Sequence, residues 1–152
     1  MKVREVIRLL DADGWALIST EGSHRQFKHL TKPGRVTVSG DLGDDMPQGH
    51  ARIGETTSWL EGSKVMKTLQ YLVRINRDPG SDWGASVPDL PGCVATGKTI
   101  DSALRRIERA IELHVRGLRE DGLPIPRPSH RTVTPRRKPR EIDFYATVEI
   151  AA

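Results

Sequence analysis

His24 follows Gly22 and Ser23 and opens the run His24-Arg25-Gln26-Phe27-Lys28-His29. Histidine titrates near neutral pH, so it can take up or give up a proton in a reaction. If the run is a strand, period two puts Gln26 and Lys28 on the face of His24 and turns Arg25, Phe27 and His29 the other way. A histidine and a lysine on one face suit proton transfer beside a bound anion, which needs a cation near the negative charge. Lys28 can supply the cation, with Lys32 nearby in the next loop. From Gly-Ser-His alone, a polar residue beside a turn is the simpler reading of His24. His29, on the other face, reads as structural.

Other reactive types lead less far. Asp78, Asp82 and Asp89 are the only acids near the strands of the second half, and turn chemistry accounts for all three better than a two-metal carboxylate site does. Glu112 and His114 are two apart on a helix and do not share a face, so they make a poor metal pair. Cys93 is the only cysteine, which excludes an internal disulfide and a cysteine-based metal site, and it reads as a free structural thiol in a turn. No cofactor is implied.

The elements that must position these residues are readable from periodicity. Val3, Val6, Ile7 and Leu10 mark an amphipathic helix ending near Gly14. Trp15–Thr20, His24–His29 and Gly34–Val38 follow as three strands. Further on, Leu69, Tyr71, Val73 and Ile75 alternate as a strand, Asn76–Ser81 turns, and Trp83–Val87 returns antiparallel. Pro88, Pro91 and Gly92 fix a tight turn, and Val94–Gly97 makes a short strand. Thr99 caps a long helix whose apolar stripe is Ile100, Ala103, Leu104, Ile107, Ile111, Val115 and Leu118, with Arg105, Arg106, Glu108, Arg109 and Glu112 opposite. Phe144–Ile150 reads as a last strand. Such a terminal edge can pair with a neighbouring chain.

Two resemblances emerge from these stretches. W-G-A-S-V-P-D-L-P-G-C, then G-K-T, then a helix containing A-I-E-L-H, resembles HicB, the antitoxin of HicBA modules, over about Met66 to Pro128. D-G-W, G-S-H-R-Q-F-K-H and T-K-P-G-R-V-T-V behind an opening helix are similar to HicA, its toxin partner, over residues 1 to about 48. The HicA resemblance implies a fold like a double-stranded-RNA-binding domain (α-β-β-β-α) and metal-free RNA cleavage by one histidine, which matches His24; the RNA's 2′-hydroxyl would attack the neighbouring phosphate, held by Lys28 with Lys32 nearby. The HicB resemblance implies a β-β-β-α-β partial ribonuclease-H-like domain that binds the toxin and occludes that histidine. The HicA pattern breaks after Gly49, where its final helix should begin. His50–Ser63 contains Gly54, Gly62, Thr56 and Thr57, and Ile53, Trp59 and Leu60 form no face. Apolar side chains under the missing helix are then expected to be exposed unless something else covers them.

The expectation is an α+β chain: a toxin-like segment at 1–48 lacking its final helix, a junction at 49–65, and an antitoxin-like domain at 66–152. With 152 residues and 36% hydrophobic content, two modest cores fit better than one large one. The HicB-like domain would neutralise a HicA-type ribonuclease, either its own N-terminal half or a separate chain. The alternatives are a working, self-inhibited ribonuclease using His24, and a repressor that binds nucleic acid. The net charge is +4, and residues 1–65 balance at nine basic against nine acidic. The excess lies later, much of it in Arg127, Arg131, Arg136, Arg137, Lys138 and Arg140, which can meet RNA, operator DNA or an acidic partner, or remain a solvated linker. A homo-oligomer is expected. No apolar run is long enough to span a membrane, and the start lacks the apolar core of a signal peptide, so a cytoplasmic protein fits.

Overall fold

The computed structural model describes residues 1–47, 68–129 and 142–151. Helix α1 (Val3–Ala12) buries Val3, Val6 and Leu10, the stripe its spacing demands. The Glu5 carboxylate accepts the Lys2 N–H at 2.6 Å and ties down the first turn. Gly14 then adopts φ 91°, and a side chain there would start 2.9 Å from His29 Nε2. Strands β1 (Trp15–Glu21), β2 (His24–His29) and β3 (Val36–Ser39) form an antiparallel meander. In the second half, β4 (Thr68–Arg77), β5 (Trp83–Ser86) and β6 (Cys93–Gly97) precede helix α2 (Ile100–Glu120), and β7 (Ile142–Ala151) closes the order. Thr99 caps α2 through a hydrogen bond from the Ser102 N–H.

The two meanders fuse. β3 pairs parallel with β6, Thr37 opposite Cys93, Val38 opposite Val94 and Ser39 opposite Ala95, giving one seven-stranded sheet in the order β1-β2-β3-β6-β5-β4-β7. β7 pairs in ten-residue register with β4 of its own chain. The sequence offers this strand to a neighbour, but one of its edges is taken internally.

Two cores lie on opposite faces. On one face α1 packs over Trp15, Phe27, Val36 and Val38, with Met46 and Val94 completing the cluster. Val94 comes from the second half, so the first half does not close its core alone. On the other face α2 covers Tyr71, Val73, Ile75, Ala85 and Ala95. The exposure expected from the lost helix spares the sheet's inner strands: Phe27, Val36 and Val38 are buried, while Leu9 on α1 and Leu17 on β1 remain about half exposed.

Candidate functional site

His24 sits at the first position of β2, directly after the Gly22-Ser23 turn, with Gly22 at φ 59°. Its backbone neighbours across the sheet are Glu21 on β1 and Ser39 on β3. Ser39 is fully buried, and its Oγ lies 2.5 Å from His24 Nδ1, fixing the ring. Arg25, pointing to the other face, braces the turn by donating to the carbonyls of Ser23 and Gly40.

The strand parity expected from sequence places His24, Gln26 and Lys28 on one face, and that face lies against α2. Gln26 Nε2 donates to the Leu113 carbonyl at 2.8 Å, and its Oε1 accepts from Arg35 Nη1 at 3.0 Å, which fixes the orientation of the amide. Thr37 Oγ1 is 2.8 Å from Nδ1 of buried His114. Arg35 places Nε and Nη2 at 2.8 and 3.0 Å from the two carboxylate oxygens of Asp121, and Lys28 reaches the same carboxylate at 3.1 Å. Arg35 holds the Asp121 carboxyl down to about 2, with Lys28 adding to the effect against the opposing cost of burial. Above His24, Arg109 of α2 forms an ion pair with Glu21, the strand neighbour of the histidine.

A second cluster closes the junction. Asp44 is only 1% exposed and accepts from Thr96 Oγ1 at 2.8 Å and from Arg106 Nη1 at 3.0 Å, with Lys98 Nζ at 3.1 Å. Burial opposes its charge, yet bonds from Thr96, Lys98 and the Asp41 N–H outweigh that and keep its carboxyl below the ordinary range. Asp45 N–H donates to the Asp82 carboxylate at 2.7 Å, and Asp82 N–H returns a bond to the Asp45 carbonyl.

The electrostatics at His24 follow from this packing. Burial lowers its proton affinity first, Arg109 and Arg106 lower it further, and Glu21 opposes them. The imidazole therefore takes up a proton less readily than a free histidine, with one ring nitrogen committed to Ser39 and α2 overhead.

The other candidates suggested by the sequence are dispersed. Lys28 shares the His24 face but is engaged by Asp121. Lys32 is bound to Asp13, which also accepts from Trp15 Nε1, at the corner where His29 stacks edge-on against Trp15. Lys32 is therefore not gathered with His24. His29 is structural, its Nε2 lying 2.9 Å from the Asp13 carbonyl. Arg127 is exposed, and Arg131, Arg136, Arg137, Lys138 and Arg140 lie outside the described residues. Cys93 is not in a turn. It opens β6, buried, with its thiol pushed up by burial. Of the three acids assigned to turns, Asp82 instead joins the two halves, and Asp89 accepts from Ser129 N–H and Oγ at 2.8 and 2.6 Å. Among the described residues no cluster could hold a metal ion.

Periodicity alone gives α2 one apolar stripe. The residues it misses are Ala110, Leu113, His114 and Gly117, all buried. They form a second stripe at helical spacing beside the first. A helix buried along two adjacent stripes must serve two surfaces, and that signal is present in the sequence.

In this architecture the long helix of the second half lies over the histidine face of the first. The family described as HicB_like antitoxin of bacterial toxin-antitoxin system matches residues 71–148, just over half the chain, and the chain belongs to that family. The HicA toxin family of bacterial toxin-antitoxin systems matches residues 3–52. Among curated relatives, a UPF0150 protein of Thermoplasma acidophilum is 35% identical over 66 residues, 43% of this chain and 96% of that protein. An uncharacterized 14.9 kDa protein of Haemophilus phage HP1 is 36% identical over 65 residues, 41% of this chain and 47% of that protein. Among solved structures, the N-terminal domain of the Burkholderia pseudomallei antitoxin HicB is similar at 24% identity and a TM-score of 0.44, covering 55% of this chain and all of that domain. No helix among the described residues is long and apolar enough to cross a membrane.

Proposed function

We propose that the HicB-like half neutralises the HicA-like half of its own chain, and that the HicA-like half is a metal-independent endoribonuclease using His24. The observation that carries this reading is that α2 packs on the one sheet face that bears His24. An RNA strand must bring its 2′-hydroxyl within hydrogen-bond reach of the imidazole. Arg109 bound to Glu21, together with α2 along Gln26 and Thr37, stands in that approach. Neutralisation in cis is favoured over neutralisation of a separate toxin because the surface that would receive a separate toxin is occupied by residues 24–45.

The test uses the full chain, because Val94 completes the core of the first half. Arg106→Glu with Arg109→Glu sets like charges against Asp41, Asp44 and Glu21 and lifts α2 from the His24 face. RNA cleavage is expected from this variant and not from the wild type, and it disappears when His24→Ala is added. A variant that keeps its far-UV circular dichroism yet leaves RNA intact refutes the ribonuclease reading. A wild-type chain that captures a separate HicA-type toxin refutes the restriction to cis.

A further inference from the structure

We infer that Ser39 is a positioning residue for His24: it commits Nδ1 of the imidazole and leaves Nε2 as the nitrogen that exchanges a proton with RNA. That role rests on the ribonuclease reading of the first half. His24 and Ser39 are paired directly across β2 and β3, and directly opposed residues put their side chains on one face of a sheet. Ser39 is fully buried, and its Oγ lies 2.5 Å from Nδ1 of the half-buried histidine. Among the described residues Nδ1 is the only hydrogen-bond partner of that hydroxyl, and Nε2 of His24 has none.

The backbone around the pair is pinned on both strands. Gly40 N–H donates to the Ser23 carbonyl at 3.1 Å, and Arg25 Nη1 donates to the carbonyls of Ser23 and Gly40 at 3.2 and 2.9 Å. None of these pins comes from α2, so the pair stays set when that helix lifts. A serine hydroxyl both donates and accepts, so it can follow the ring through its protonation states. With Nδ1–H donating to Oγ, the Nε2 lone pair is free to take the proton of an RNA 2′-hydroxyl. The 2′-oxygen then bonds to phosphorus, the bond from phosphorus to the 5′-oxygen breaks, and the leaving oxygen ends with a proton. The ring is a cation after the first transfer, and Oγ still accepts from Nδ1–H. Giving the Nε2 proton away returns the ring to its starting form. Alanine at position 39 would leave Nδ1–H of that cation without its acceptor, which disfavours the charged ring. The charged groups around the ring are otherwise the same: Glu21 on β1, Arg25 on its own strand, and Arg106 and Arg109 on α2.

Two measurements on the full chain test this. The first is an NMR titration of the imidazole C–H signals, with His24 identified by the signal lost in His24→Ala. Ser39→Ala is expected to lower the His24 midpoint by about one pH unit, because a bond to the charged ring is worth more than one to the neutral ring. Ser39→Thr, which keeps the hydroxyl, is expected to return it. The second adds Ser39→Ala to the Arg106→Glu, Arg109→Glu chain. There kcat is expected to fall about tenfold or more with KM little changed, and the pH profile to move with the midpoint. A His24 midpoint indifferent to Ser39→Ala overturns the role of Ser39, as does RNA cleavage with unchanged kcat and pH profile, and the ribonuclease reading survives both. An opened chain that leaves RNA intact overturns that reading, and with it the proton exchange assigned to Nε2, whatever the titration shows.

Discussion

Asp121→Asn tests whether the two halves form one cooperative unit. The substitution keeps the side chain's shape and removes its charge. Arg35, only 9% exposed, loses its two-pronged partner. Lys28 loses its 3.1 Å contact. What remains to Arg35 is one neutral amide oxygen at position 121, Gln26 Oε1 and the Glu120 carboxylate at 3.8 Å. Removing one partner of a sheltered ion pair costs about 3–5 kcal/mol, and these surviving contacts place this case at the low end, about 3 kcal/mol. Because the clamp spans the halves, the loss appears in the global stability. Urea unfolding at pH 7 should give a single transition in both proteins, with the variant's midpoint well below the wild type's. Asp13→Asn, which breaks the exposed pair with Lys32, is the control and should leave the midpoint nearly unchanged. A wild type that unfolds in two separate steps, or an Asp121→Asn midpoint equal to that of Asp13→Asn, refutes the single cooperative unit. The same carboxyl sets an acid limit. Its pKa in the fold is about 2, below the ordinary value, so the clamp is fully present above about pH 4 and is lost as the pH falls toward 2.

Other outcomes follow from single contacts. His114 is buried beside Arg35 and held down to about 4, burial being the larger cause, so the unfolded chain binds a proton that the native chain refuses between about pH 6.5 and 4. Stability should therefore fall by about 3 kcal/mol across that window on acidification, and urea midpoints measured for His114→Asn should lose most of this slope. Gly117→Ala gains about 1 kcal/mol in helix propensity. The added carbon would start 2.7 Å from Arg35 Cδ and Nη1, so dislodging the clamp outweighs the gain and a net loss of about 1–2 kcal/mol is expected by thermal melting. Thr99→Ala removes the cap on α2 and should cost about 1 kcal/mol in the same assay.

What can be read from the sequence is local. The alternation of Leu69, Tyr71, Val73 and Ile75 marks the buried face of β4, because one side of that strand meets α2 and the other does not. The parity of β2 puts Gln26 and Lys28 beside His24, and the structure keeps them there. The junction between the halves cannot be read in this way. The β3–β6 pairing joins residues more than fifty positions apart, and neither strand carries a mark of its partner. Lys28 reads as a free cation in the sequence, and only the fold brings Asp121 to it. Cys93 reads as a turn residue because Pro91 and Gly92 precede it, yet β6 begins at once and buries the thiol. Ser39 carries no signal as the partner of His24, since a serine ending a strand is unremarkable until the register is known.

The parallel joint between β3 and β6 spans three residue pairs, whereas β4 and β7 share ten. Under a load that pulls the halves apart, such a ladder is the fracture line of the sheet. Its amides should exchange with deuterium through openings that leave β4 and β7 protected. The side-chain clamps at Asp44 and Asp121 sit on either side of this line, like bolts across a seam. Exposure of the histidine face therefore does not require the antitoxin-type half to melt. It requires the short seam to part together with the bonds that cross it: those of the Asp44, Asp121 and Glu21 carboxylates, the Asp45–Asp82 pair, and the bonds of Gln26 and Thr37 to α2.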